Sequence, residues 1–234
     1  MSVTAVQDEL REQGSPQKAL GSGVFFKTGP GQYGEGDVFL GVTVPEQRII
    51  AKRHLDLSVN QVEELLQSPE HEFRMMALLI WTYQFARGDL SQRKAIYDAY
   101  LENTRWINNW DLVDASAEIV GQYIETHERT ILDKLARSGD IWERRIAIVA
   151  PYWLIKQGQP EDTLRIAALL LHDKHDLIHK ATGWMLREVG KRCSQAVEEG
   201  FLREHYHTMP RTMLRYAIER FEPELKRAYM TGAV

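Results

Sequence analysis

FRMMALLIWTYQF, residues 73–85, carries apolar side chains at helical spacing so densely that it reads as a helix buried on all sides. A second stretch, IWERRIAIVAPYWLI at 141–155, repeats the pattern with its polar residues gathered at 143–145. Pro151 is expected to kink or end that helix, because proline lacks the N–H and clashes with the preceding turn. Ser58 before VNQVEELL and Ser68-Pro69 before EHEF both resemble N-cap signals. Gly158 and Gly190 fall where helices could stop. No long alternating run appears, and Val42–Val44 is too short to count as a strand. The expected fold class is therefore all-α.

Composition agrees. The chain has 234 residues, 44% hydrophobic and 26% charged, an ordinary globular balance. Six Trp, nine Tyr and seven Phe provide apolar area to bury, which excludes disorder for the bulk. No apolar run reaches the roughly 20 residues of a membrane helix, so no membrane partner is expected. The N-terminal MSVTAVQDELREQ lacks the basic-then-apolar layout of a secretory signal. Cys193 is the only cysteine, so no internal disulfide can form, and a cytoplasmic location is expected. The net charge of −4 argues weakly against a polyanion partner, but its distribution is uneven. Residues 1–70 carry 6 basic and 10 acidic groups, residues 71–140 carry 8 and 11, and residues 141–234 carry 15 and 12. An acidic start and a basic end permit a local anion-binding face, or simply an uneven solvated surface.

A repeat emerges when the helical segments are stacked. The pairs Phe73/Met76, Ile107/Trp110, Trp142/Arg145, Leu177/Lys180 and Pro210/Met213 start 34, 35, 35 and 33 residues apart. That period suits two helices per repeat, as in α-solenoids. It predicts that Trp110, Arg145 and Lys180 line one face of a curved stack. Residues 1–234 are expected to form a single domain, with 1–23 a peripheral N-terminal segment and 24–44 a Gly-rich loop region. The stretch GSGVFFKTGPGQYGEGDVFLG holds seven glycines in 21 residues, but it contains neither G-x-x-x-x-G-K-[ST] nor a strand-anchored G-x-G-x-x-G.

Three segments could carry chemistry. In NNWDLVD, residues 108–114, Trp110 and Asp114 lie four apart and share a helix face. An indole beside a carboxylate suits a cation; alternatively, Asp111 caps a helix and Trp110 is core. Lys180, Trp184, Arg187 and Lys191 form one stripe at helical spacing, flanked by Leu177, Ile178, Ala181, Met185 and Val189. Three cations around one aromatic suit phosphates; a solvated helix face is the alternative. In Trp142-Glu143-Arg144-Arg145, an arginine could serve a ligand or pair with Glu143 or a neighbouring helix. His172, His175, Asp176 and His179 include the i, i+4 histidine spacing of helical zinc sites, but the glutamate of H-E-x-x-H is absent and no metal is expected.

Taken together, Trp-Asp-x-Val-Asp at 110–114, Ile-Trp-x-x-Arg at 141–145 and Lys-Ala-x-Gly-Trp-x-Leu-Arg-Glu at 180–188 resemble the AlkD family of DNA alkylation-repair glycosylases. Phe39-Leu40-Gly41-Val42 and Pro45-Glu46-x-Arg48 look like the family's entry to its first well-formed repeats, and the likeness runs from about residue 24 to about residue 221. The resemblance implies a right-handed α-solenoid of HEAT-like repeats with a concave DNA-binding face. It implies a monofunctional DNA glycosylase that excises cationic N3- and N7-alkylated purines from duplex DNA, reading the backbone without flipping the base and using no cofactor. By motif, the catalytic carboxylate falls on Asp114 and the two tryptophans on Trp110 and Trp184. Backbone contacts fall on Arg145 and Arg187, with Lys180 beside them and Lys27 and Arg48 through shorter motifs. A monomer is expected. Phe25 stands where the family pattern has an aromatic hydroxyl, and the loop 28–37 looks longer. A non-catalytic HEAT-like scaffold for DNA or protein is the alternative.

Overall fold

The computed structural model describes residues 2–234, and their regular secondary structure is all helix apart from one isolated parallel bridge between Val38 and Glu70. The chain divides into two compact units, one ending at Ile119 and the other Val120–Val234. The first contains α1 (Val3–Glu12), α2 (Pro16–Phe25), α3 (Val44–Ala51), α4 (Val59–Leu66), α5 (His71–Arg87), α6 (Leu90–Glu102) and α7 (Trp110–Ser116). The division falls within α8 (Glu118–Ile124). The second contains α9 (Thr130–Ala136), α10 (Ile141–Val149), α11 (Tyr152–Lys156), α12 (Glu161–Leu169), α13 (Asp176–Arg192), α14 (Gln195–His205), α15 (Arg211–Ala217) and α16 (Pro223–Thr231).

The expected repeat marks the second helix of successive helical pairs. The starts of α5, α7, α10, α13 and α15 lie 39, 31, 35 and 35 residues apart. Within each unit these second helices pack on one another, α5 on α7, α10 on α13, and α13 on α15. Such a layer explains why α5 is buried without a break from His71 to Trp81. A helix surrounded by helices needs apolar residues all round.

Local signals account for several helix ends. Ser58 caps α4 in a box with Gln61, and Asp140 caps α10 by accepting the Trp142 N–H at 2.7 Å. Pro151 follows the end of α10, and the chain restarts as α11, which stops before Gly158 at φ 76°. Two signals misled. Glu70, not Ser68, is the N-cap residue of α5, while the Ser68 hydroxyl donates to the Glu70 carboxylate at 2.6 Å. Gly190 lies inside α13 because the Glu198 carboxylate of α14 approaches its Cα so closely that a Cβ would stand 1.8 Å from Oε2.

The N-terminal segment also differs from expectation. α1 buries Val3, Val6 and Leu10 against α3, α4 and α5, so it belongs to the core of the first unit. The glycine-rich stretch begins as helix α2 and becomes irregular only from Phe26. Its end is fastened by Glu72 of α5, whose carboxylate accepts the N–H groups of Leu40, Gly41 and Val42 at 2.9, 2.8 and 3.3 Å. Gly41 has φ 83°, and a Cβ there would lie 2.2 Å from the Ser15 carbonyl, so close backbone approach requires glycine.

Candidate functional site

In the first unit the site is built on α7. Asn109 is fully buried and caps the helix, accepting the Trp110 N–H at 2.8 Å. Leu112, Val113 and Ser116 turn into the core, which leaves Trp110 and Asp114 half-buried on the outer face of the same helix. This is the i, i+4 placement read from the sequence. Beneath them the Tyr100 hydroxyl meets the Ser116 hydroxyl at 3.1 Å. Burial, together with the negative field of Asp114, pushes the Tyr100 phenol far above its ordinary range, so it stays neutral.

The Trp110 ring is walled by residues from the end of α2. Phe26 stacks on it at 5.4 Å between centroids, and Phe25 meets it edge-on at 5.8 Å. Phe25 itself is 64% exposed. Phe26 continues the cluster to Phe39 at 5.2 Å and to the His71 imidazole at 5.1 Å. Asp111 does not cap α7 through its position. Its Oδ2 lies 2.8 Å from His71 Nε2, while Oδ1 accepts the Leu112 N–H. On the other side of the imidazole, Nδ1 lies 2.9 Å from Asp37 Oδ2, and Asp37 Oδ1 accepts from Arg74 at 2.5 Å. Burial opposes the ionisation of Asp37, but His71 and Arg74 outweigh it and hold the carboxyl below its ordinary range. Burial likewise opposes the charged form of His71, yet the two carboxylates raise its pKa to about 9.

Phe26, Phe39, Asp37, His71 and Asp111 were not singled out as site residues by sequence reasoning. A usable signal was present at one of them: a titratable His-Glu pair, His71-Glu72, leads directly into the most apolar helix of the chain and so must find partners. Lys27 is exposed with φ 55°, just past α2, and Arg48 is exposed in the last turn of α3. Asp37 and Phe39 also line a cavity of about 1100 Å³ with Arg11, Leu20, Val24 and Leu40. Neither Trp110 nor Asp114 lines it.

In the second unit α13 carries the expected stripe. Lys180, Trp184 and Arg187 are half-buried and Lys191 is exposed, while Ile178, Ala181, Met185 and Val189 are buried behind them. The cations are engaged by carboxylates: Lys180 lies 2.7 Å from Asp176, and Arg187 contacts Glu219. Tyr152 lies 6.1 Å from Trp184. Gly183 lets α13 touch α15, since a Cβ there would sit 2.3 Å from the Met213 carbonyl.

Arg145 is placed differently from Lys180. It is 5% exposed on α10, and its Nη1 donates to the Leu177 carbonyl at 2.8 Å. The first turn of α13 covers it, so repeat equivalence with Trp110 and Lys180 does not extend to exposure. The histidine cluster serves α13 locally. His175 is its N-cap, accepting the Leu177 N–H, and His179 Nε2 donates to the Asp173 carbonyl at 2.5 Å. Among the described residues no group of three or more His, Cys, Asp or Glu is arranged to hold a metal ion, and no helix is long and apolar enough to cross a membrane.

The profile of a family described as DNA alkylation repair enzyme matches residues 6–221. No curated protein matches the chain. Among solved structures, one described as a predicted DNA alkylation repair enzyme from Enterococcus faecalis shares the fold with a TM-score of 0.70 at 20% identity, over 90% of this chain and 98% of its own. AlkD2 from Streptococcus mutans is similar with a TM-score of 0.56 at 19% identity, over 77% of this chain and 91% of its own.

Proposed function

Because the chain belongs to the family of DNA alkylation repair enzymes, we propose that it is a monofunctional DNA glycosylase acting on cationic N3- and N7-alkylated purines in duplex DNA. The observation that carries this reading is the outer face of α7, where the Asp114 carboxylate lies one turn beyond an indole walled by Phe25 and Phe26.

An N3- or N7-alkylated purine already bears a positive charge and departs without a general acid. As the N-glycosidic bond breaks, its electron pair leaves with the base and the sugar becomes oxocarbenium-like. Asp114 stabilises that cation and accepts a proton from the water that attacks C1′. Trp110 presents an aromatic face to the same positive charge and excludes water. The balance closes with water alone, so the step calls on no cofactor. Lys180 and Arg187 hold phosphates from α13, the Trp184 indole between them packs on the deoxyribose and excludes water, and Lys27 and Arg48 add exposed cations. Arg145 steadies the start of α13 through Leu177. The backbone is read and the base stays in the stack, which avoids the few kcal/mol of flipping. The protein acts as a monomer in the cytoplasm.

The test is base release from duplex DNA containing 7-methylguanine. Wild type is expected to exceed the spontaneous rate. Asp114→Asn should lose about 10²–10³ in rate, the size typical of losing one preorganised electrostatic group. Wild-type protein that releases no base sinks the glycosylase reading. A second reading, a non-catalytic DNA-binding scaffold, is favoured by Phe25, which stands where the family pattern has an aromatic hydroxyl and offers none. It gives salt-sensitive duplex binding without base release.

A further inference from the structure

We propose that His71 is a positioning residue for α7, an imidazolium clamped between Asp37 and Asp111 that fixes where Trp110 and Asp114 stand. The inference rests on the proposed function for its consequence in catalysis, but the clamp itself is testable without turnover.

Geometry sets the protonation state. His71 Nδ1 lies 2.9 Å from Asp37 Oδ2, and Nε2 lies 2.8 Å from Asp111 Oδ2. A neutral imidazole has one N–H and one lone pair, so one of these contacts would set a lone pair against a carboxylate oxygen. Only the doubly protonated ring donates to both. Phe26 and Phe39, with centroids 5.1 and 4.6 Å from the imidazole, place aromatic surface beside the cation. The charged groups facing His71 are Asp37 from the glycine-rich loop, Asp111 from α7 and Arg74 from its own helix. Two carboxylates and two cations balance within the buried cluster. Arg74 is itself anchored by the carbonyls of Ser68 and Pro69 at 2.9 and 3.0 Å.

The clamp reaches both Trp110 and Asp114 through the first turn of α7. Asp111 adjoins Trp110 and stands three residues before Asp114, on a helix of seven residues. Asn109, which accepts the Trp110 N–H, also points its Nδ2 at Asp37 Oδ2, 3.4 Å away. The Phe26 ring touches both His71 and Trp110. The backbone is tied as well, since the His71 N–H donates to the Val38 carbonyl at 2.8 Å. Loop, α5 and α7 therefore meet at one imidazolium. Misplacing a catalytic group by about 1 Å can cost about 10²-fold in rate, so a small rotation of this short helix would be felt at Asp114.

The experiment uses the full-length protein with isotope-labelled histidine and tryptophan. The His71 ring nitrogens of wild type are expected to report the doubly protonated form at neutral pH, with the transition to the neutral ring near pH 9. In His71→Gln the Trp110 indole resonance should shift while that of Trp184 stays in place. Base release should fall about 10- to 100-fold with duplex affinity little changed. Asp111→Asn should lower the His71 titration point. A neutral His71 at neutral pH, or a folded His71→Gln with an unmoved Trp110 resonance, overturns the proposal. If His71→Gln fails to fold, the wild-type titration alone decides. Wild type that shows the clamp but releases no base refutes the glycosylase reading and leaves the clamp standing.

Discussion

Glu198 sits 2% exposed beneath α13. Burial, reinforced by Glu199 and opposed by Arg187, pushes its carboxyl from 4.5 up to about 8. A folded-state pKa above the unfolded value means the native state binds its proton more tightly. The associated stabilisation is complete below about pH 4.5 and is lost as pH rises through about 8. His71 follows the same sign in a higher window, since its folded value of about 9 exceeds 6.5. Urea unfolding across pH is therefore expected to show stability declining from mildly acidic to alkaline conditions. Glu198→Gln should remove the part of that decline centred below pH 8 and leave the protein more stable than wild type at alkaline pH, by on the order of 1 kcal/mol or more. An unchanged pH profile would show that Glu198 is ionised in the fold at neutral pH. The sequence placed Trp110 and Asp114 on one helix face, because their spacing is local. His71 escaped notice because its partners, Asp37 and Asp111, lie 34 and 40 residues away.

At the scale of elements, the glycines divide into those that permit close packing and those that do not. On α13, Gly183 faces the Met213 carbonyl and the Tyr216 side chain, at 2.3 and 2.6 Å from an added Cβ. Gly183→Ala should destabilise the protein by about 1–3 kcal/mol through overpacking. Gly200, within α14, has nothing within 4 Å of an added Cβ. Gly200→Ala should stabilise by about 0.5–1 kcal/mol, because alanine loses less backbone freedom in a helix. Chemical denaturation of the two variants side by side checks the contrast. The sequence spacing located the second helices of the pairs because each begins with a similar apolar pattern. It misplaced the end of α13 at Gly190, since the demand for glycine there comes from Glu198 on the next helix.

At the scale of the whole molecule, an overall charge of −4 coexists with a basic excess over residues 141–234. Duplex binding is therefore expected to engage few phosphates. Replacing Lys180 and Arg187 together by Ala should flatten the dependence of log K on log salt by about 0.9 for each phosphate that the variant no longer neutralises. Glu219→Gln should strengthen binding by removing one of the two carboxylates that engage Arg187, Glu188 being the other. Fluorescence anisotropy over a salt series measures both. Variants that bind with the wild-type slope would remove the α13 stripe from the DNA-binding face.

The chain's own order of residues determined that this protein is all-helical, where its paired helices recur, and which helix faces carry Trp110 with Asp114 and Lys180 with Trp184 and Arg187. The helices and their faces follow from periodicity within about ten residues, which short-range backbone geometry makes readable, and the recurrence from motif starts 33 to 35 residues apart. Tertiary structure decided the rest. It buried Arg145 under the first turn of α13, drew Phe25 and Phe26 onto Trp110, and closed the Asp37–His71–Asp111 chain. Each of these depends on side chains far apart in sequence meeting in a low-dielectric interior, where a charge is tolerated only beside its partner.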